Sequence, residues 1–190
     1  MGNPRRIWWA RPGKLCALDR PGGGGRTHRA EARAADIAHL RASGVRMVVS
    51  TMRTRHNLAD YERAGLAWHH VPVASCADGE HALEELLSLL RRELRGRGAI
   101  AVHGDLHTDF AAAVCAAHLH EACGVHPADG LAAAAAAGLE ATPESARLLG
   151  VDHGDVMVVS GAPRRPGPDT PPAEVDAPTL AATTAPGLSG

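Results

Sequence analysis

The residues best placed to do chemistry lie between Ala99 and Leu119, in AIAVHGDLHTDFAAAVCAAHL. A short apolar run ends at His103, a polar loop follows, and an Ala-rich helical stretch begins near Phe110. Strand, loop and helix in that order aim backbone N–H groups at one point beside the helix N-terminus, which is how anion sites are commonly built. Two other chemistries compete for the same residues. Asp105 could serve as a carboxylate nucleophile, a route that relies on a metal. His103, Asp105, His107 and Asp109 carry metal-donor types, with Cys115, His118, His120 and Cys123 close behind. Alternate loop positions have no defined geometry, however, and on a helix 115 and 118 are neighbours while 120 and 123 point elsewhere. No metal and no cofactor are therefore expected.

The surrounding elements read as alternating strands and helices. Leu15 to Leu18 forms a first short strand, followed by a flexible loop at Pro21–Gly25. Ile37 and Leu40 mark a helix from about Arg29 to Ser43, stopped by Gly44. Val45 to Thr51 is β-branched and apolar without alternation, as in a strand buried on both faces. Asn57 can cap a short helix ending at Gly65, and Leu66 to Val73 supplies another strand. Leu83, Leu86, Leu87, Leu90 and Leu94 form a core stripe on a helix that exposes Glu84, Glu85, Arg91 and Arg92. Asp152 to Ser160, with Val156, Val158 and Val159, reads as an extra strand. With no hairpin signals between the strands, the expected fold class is α/β, with a central, mostly parallel sheet flanked by helices.

The loop segment resembles the signature of the cysteine-dependent protein tyrosine and dual-specificity phosphatases: His-Cys, five residues, Arg, then Ser or Thr. His103 fits the His; Gly104 stands at the Cys position, Phe110 at the Arg position and Ala111 at the Ser or Thr position. Upstream, WARPGKLCALDRPGGGG, GVRMVVSTM and NLADYERAGLAWHHVPV follow in the family's order, and GVHPADGLAAAA resembles its next helix. The resemblance implies a dual-specificity phosphatase type of domain over 1–160, with 161–190 left as a Pro/Ala/Thr-rich disordered tail. It also implies a Cys thiolate nucleophile, an Arg that grips the phosphate, and an Asp general acid after the PV segment. Gly104 and Phe110 supply neither of the first two. The general acid falls near Ser75, with Asp78 the nearest carboxylate. No catalytic residue is thus expected intact in the loop His103, Gly104, Asp105, Leu106, His107, Thr108, Asp109, Phe110. Asp105 and Asp109 also oppose a helix-end attraction of only about 0.3–1 kcal/mol. The expectation is a catalytically inactive pseudophosphatase that binds a protein partner. The alternative is an active protein phosphatase, acting on phosphotyrosine or phosphoserine/threonine through a rearranged site.

Other prominent residues have plainer roles. HGDLH alone matches the catalytic loop of aminoglycoside and choline kinase-like enzymes, but the required Asn and upstream nucleotide lobe are missing, so the match is a coincidence. His69 and His70 are structural or rim residues, Arg53 and Arg55 belong to a solvated loop, and Trp8 and Trp9 anchor the first strand. Cys115 lies within the helix, too far along to be a displaced nucleophile. The 190 residues carry a formal charge of −1, which gives no bulk attraction to nucleic acid or an anionic membrane. Neither is expected as a partner. Cys16, Cys76, Cys115 and Cys123 have no disulfide-scaffold spacing, which fits a reducing cytoplasm. Lys14 is the only lysine amid many arginines and alanines, a composition typical of a GC-rich bacterial gene.

Overall fold

The computed structural model describes residues 6–23 and 30–159. The region 161–190, read above as a tail, lies outside them, as do Gly24 and Gly25 of the glycine loop.

Five strands form one sheet: β1 (Ile7–Arg11), β2 (Leu15–Leu18), β3 (Val45–Ser50), β4 (Ala67–His70) and β5 (Ala99–His103), in the order β1-β2-β5-β3-β4. The pairs β2/β5, β5/β3 and β3/β4 are parallel. Only β1 runs antiparallel, joined to β2 by a turn at 12–14 in which Gly13 takes φ 66° and Lys14 N–H donates to Arg11 O at 2.9 Å. This hairpin corrects the expectation that no hairpin is present. Its signal was the Pro12-Gly13 pair, a turn former placed between two apolar runs.

Side chains alternate across the sheet as the strand period requires. Leu15, Ala17, Val49, Ile100 and Val102 face one core, shared with helices α3 (Glu80–Glu93), α4 (Asp109–Cys123) and α5 (Pro127–Ala136). Cys16, Leu18, Val45, Val48, Ala99 and Ala101 face the other, covered by α1 (Ala30–Ala42) and α2 (Leu58–Arg63). Central strands buried on both sides need continuous apolar runs, and AIAVH is one. On α3 the buried residues are Leu86, Leu87, Leu89 and Leu90, with Leu83 and Leu94 packed at the edge.

Helix α4 is enclosed on every side, with every residue from Phe110 to Leu119 buried. Its alanines let neighbours approach closely: a Cβ placed on Gly130 of α5 would lie 2.8 Å from Ala116 Cβ. Two short helices close the described chain, α6 (Pro143–Leu148) and α7 (His153–Val159). The second overturns the extra-strand expectation for Asp152–Ser160. Asp152 accepts from Gly154 N–H at 2.6 Å and starts a helix, and Val156 is fully buried in the core shared with α4 and α5. Tertiary burial thus decides over the β-branched composition.

Asn57 precedes α2 as expected, but it does not cap with its side chain. It sits at φ 71°, and its amide donates instead to Pro21 O at 3.0 Å, tying the glycine loop to α2. Strand β4 stops at His70, short of the expected Val73, although Val71 and Val73 still donate to Ser50 O and Thr51 O. Trp8 is buried and holds β1 to the core. Among the described residues, no helix is long and apolar enough to cross a membrane.

The close α4–α5 contact can be tested directly. Gly130→Val should lower unfolding free energy by about 2 kcal/mol through overpacking, read as a shift in the urea midpoint.

Candidate functional site

In open α/β sheets, ligands bind beyond the carboxyl ends of the parallel strands. Here β2, β3, β4 and β5 end at Leu18, Ser50, His70 and His103, and the loops that follow them meet there. They enclose a shallow cleft of about 190 Å³, whose wall includes Thr51, Met52, Arg53, Val73, Ser75 and the 104–110 loop. That is below the roughly 300–1,000 Å³ of a typical small-molecule pocket.

His103 is fully buried at the end of β5. Its Nδ1 lies 2.7 Å from Gly104 O and its Nε2 lies 2.8 Å from the Tyr61 hydroxyl. A carbonyl only accepts, so Nδ1 carries the proton and Tyr61 donates to Nε2. Burial pulls the imidazole pKa down to about 4, a shift partly opposed by its bond to Gly104 O. His103 is therefore a neutral structural post beneath the loop. The His103 carbonyl accepts from both Thr51 N–H and the Thr51 hydroxyl, which fixes the start of the neighbouring loop.

The loop does not close around an empty centre. A Cβ built on Gly104 would collide with the His107 carbonyl oxygen, which occupies the space where a side chain would start. Two of the amides at the start of α4 are already engaged. Phe110 N–H donates to Asp109 Oδ1 at 2.8 Å, and Thr108 N–H donates to Glu140 Oε2 at 3.2 Å. Glu140 is held in return, its N–H donating to Thr108 Oγ1 at 2.9 Å and its carboxylate lying 3.1 Å from His107 Nδ1. The second Asp109 oxygen accepts from the Cys76 thiol at 3.3 Å and the Thr142 hydroxyl at 3.1 Å. Thr142 also caps α6, accepting from Ser145 N–H. Asp105 pairs with the buried guanidinium of Arg20 at 2.7 Å.

These contacts sort the residues singled out in the sequence. His103, Asp105, His107 and Asp109 point to Tyr61, Arg20, Glu140 and Cys76/Thr142 respectively, so they do not converge on one ion. Among the described residues, no three His, Cys, Asp or Glu side chains are grouped to hold a metal. His118 is buried and accepts from Arg11 at 3.2 Å, while Cys123 is exposed. Asp78 ends a 3-10 turn (Cys76–Asp78) and accepts from the Ser75 hydroxyl at 3.1 Å; Ser75, rather than Asp78, lines the cleft. Phe110 lies under the cleft with its ring pressed on the 3-10 turn's exit, where a Cβ on Gly79 would come within 2.6 Å of it. His70 donates to Met52 O at 2.8 Å, and Arg55 sits 5.6 Å from the Trp68 ring centre.

Sequence reasoning missed Arg20, Tyr61, Cys76, Glu140 and Thr142. All are distant in sequence from the loop, and no local pattern marks them. Cys76 is the thiol nearest the loop, yet burial, reinforced by the Asp109 carboxylate, pushes its pKa up. Burial likewise drives Cys115 well above the usual thiol range and Cys16 to about 12. None of these three supplies a thiolate at neutral pH.

No protein-family model and no curated protein matches the sequence. Solved structures do match the architecture. Human DUSP28 aligns with a TM-score of 0.55 at 23% identity, covering 77% of this chain and 91% of that one. Tk-PTP in its active form gives 0.57 at 18%, covering 78% and 92%. DUSP15 gives 0.55 at 16%, covering 75% and 84%. The chain has the fold of the dual-specificity and protein tyrosine phosphatases.

His103 makes stability depend on pH. Its folded pKa lies below the unfolded value near 6.5, so between pH 6.5 and about 4 the unfolded chain binds a proton that the folded chain refuses. Its contribution is complete above pH 6.5 and is lost as pH falls toward 4, on the order of 3 kcal/mol. Urea unfolding at pH 7 and pH 4.5 should show a larger drop for the native chain than for His103→Asn, which lacks this proton.

Proposed function

We propose that this chain is a pseudophosphatase: a phosphatase fold that no longer hydrolyses phosphate esters and acts by binding a protein partner. One observation carries the proposal, namely that the His107 carbonyl fills the space where a side chain at 104 would start, while the Thr108 and Phe110 amides are spent on the protein's own carboxylates. An oxygen acceptor aimed at a phosphate repels it, so the site has lost recognition along with chemistry.

The geometry also weighs against a rearranged active site. An aspartyl nucleophile needs a free oxygen and a metal to neutralise the phosphoryl group. Asp105 gives one oxygen to Arg20 and keeps the other free, but among the described residues no group of His, Cys, Asp or Glu side chains is placed to hold a metal; Asp109 accepts three hydrogen bonds across its two oxygens. Phe110 offers no donors where a bidentate guanidinium would be needed.

Phosphate release from a phosphotyrosine peptide and from a small aryl phosphate tests the proposal, with EDTA and then with Mg²⁺, Mn²⁺ or Zn²⁺. The expected result is no turnover above background in any condition. Turnover that disappears in Asp105→Ala would overturn it in favour of carboxylate chemistry.

A second expectation follows from the His107 carbonyl. The double variant Gly104→Cys/Phe110→Arg, which rewrites the two signature positions, should remain silent in the same assay and be less stable than the native chain.

A further inference from the structure

We infer that the cleft receives an unphosphorylated partner segment in which an aliphatic side chain sits beside an Asp or Glu. This inference rests on the pseudophosphatase proposal and names the chemistry of its partner.

The shape argument begins with Leu106, which is 56% exposed at the tip of the loop and is the only large apolar side chain so exposed among the described residues. With Met52, Val73 and Phe110 it gives the cleft an apolar wall, sized for one side chain rather than a bulky ligand. Burying Leu106 against an aliphatic partner removes apolar area from water on both surfaces.

The charge argument decides the neighbour of that aliphatic side chain. Three charged side chains line the cleft: Asp105, Asp109 and Arg53. Asp105 is neutralised by Arg20, and Asp109 is saturated by the Phe110 amide, the Cys76 thiol and the Thr142 hydroxyl. Of the other charges facing this region, His107 is engaged by Glu140, Asp78 accepts from Ser75, and Arg55 lies over Trp68. Arg53 alone keeps its donors, making no hydrogen bond or ion pair among the described residues. A carboxylate complements it. A phosphate gains little here, because Phe110 stands where the signature arginine would share its charge and the Thr108 and Phe110 amides are already engaged.

The probes are three acetylated, amidated peptides identical except for one position before a Leu: Asp, Lys or phosphotyrosine. Titrated into the isotopically labelled full chain, the Asp-Leu peptide should shift the NMR signals of Leu106 and Met52 and bind about fivefold tighter than the Lys-Leu peptide. Arg53→Glu should reverse that preference. Because Arg53 is exposed and unpaired, this variant should keep the native urea midpoint, and a second variant, Leu106→Ser, should weaken both peptides by about fivefold. Equal affinity for Asp-Leu and Lys-Leu, shifts confined to other surfaces, or no binding of any peptide would overturn the inference. So would tighter binding of the phosphotyrosine peptide than of Asp-Leu. Hydrolysis of that peptide would overturn the pseudophosphatase proposal instead, and it is read separately as released phosphate.

Discussion

A helix enclosed on all sides must have its N-terminal amides satisfied by something other than bulk water, and α4 is such a helix. Its first N–H groups have no intrahelical partner, and leaving them bare in a buried setting costs about 1–3 kcal/mol each. In a working phosphate site, a bound anion and a guanidinium share that region. Here Asp109 takes the Phe110 amide and Glu140 the Thr108 amide, and the consequence spreads outward. Asp109 secures the 3-10 turn through Cys76 and the start of α6 through Thr142. Glu140 fastens the segment between α5 and α6 to Thr108 and His107. Two stretches distant in sequence, the 3-10 turn and the segment running from α5 into α6, are thus held at one helix end by two carboxylates.

The electrostatics of the site follow from the same arrangement. A catalytic phosphatase loop is built of donors looking inward, whereas this loop turns a carbonyl inward and meets its amides with its own acids. Beneath it, His103 stays neutral and couples Tyr61 of α2 to the Gly104 carbonyl. His103 stands where the histidine of the signature that the loop resembles would stand, and Gly104 follows it with no side chain. His103 supports the strand end whether or not chemistry takes place above it.

Much of the fold was legible in the sequence because its elements carry strong local signals. AIAVH can be buried on both faces, the leucines of α3 recur at helical spacing, and the glycines punctuate the strand and helix ends. The failures have physical reasons. The β1–β2 hairpin turns at Pro12-Gly13, a pair whose sequence signal is the same for a tight turn and for a longer loop. The valines of α7 favour a strand in isolation, and only burial of Val156 against the helical layer makes them helical. At the site, the missing Cys and Arg were plain from Gly104 and Phe110. What replaces them was not, because Arg20, Glu140 and Thr142 act across long sequence separations that leave no periodic trace.

The position of the His107 carbonyl over Gly104 has a meaning for the history of such a loop. A protein that loses its nucleophile while the loop keeps its shape stands one substitution from activity. In this loop any residue with a Cβ at 104 meets that oxygen, so a side chain enters there only if the loop backbone moves. The carbonyl acts as a gate on position 104, open to glycine and shut to every other residue until the loop moves.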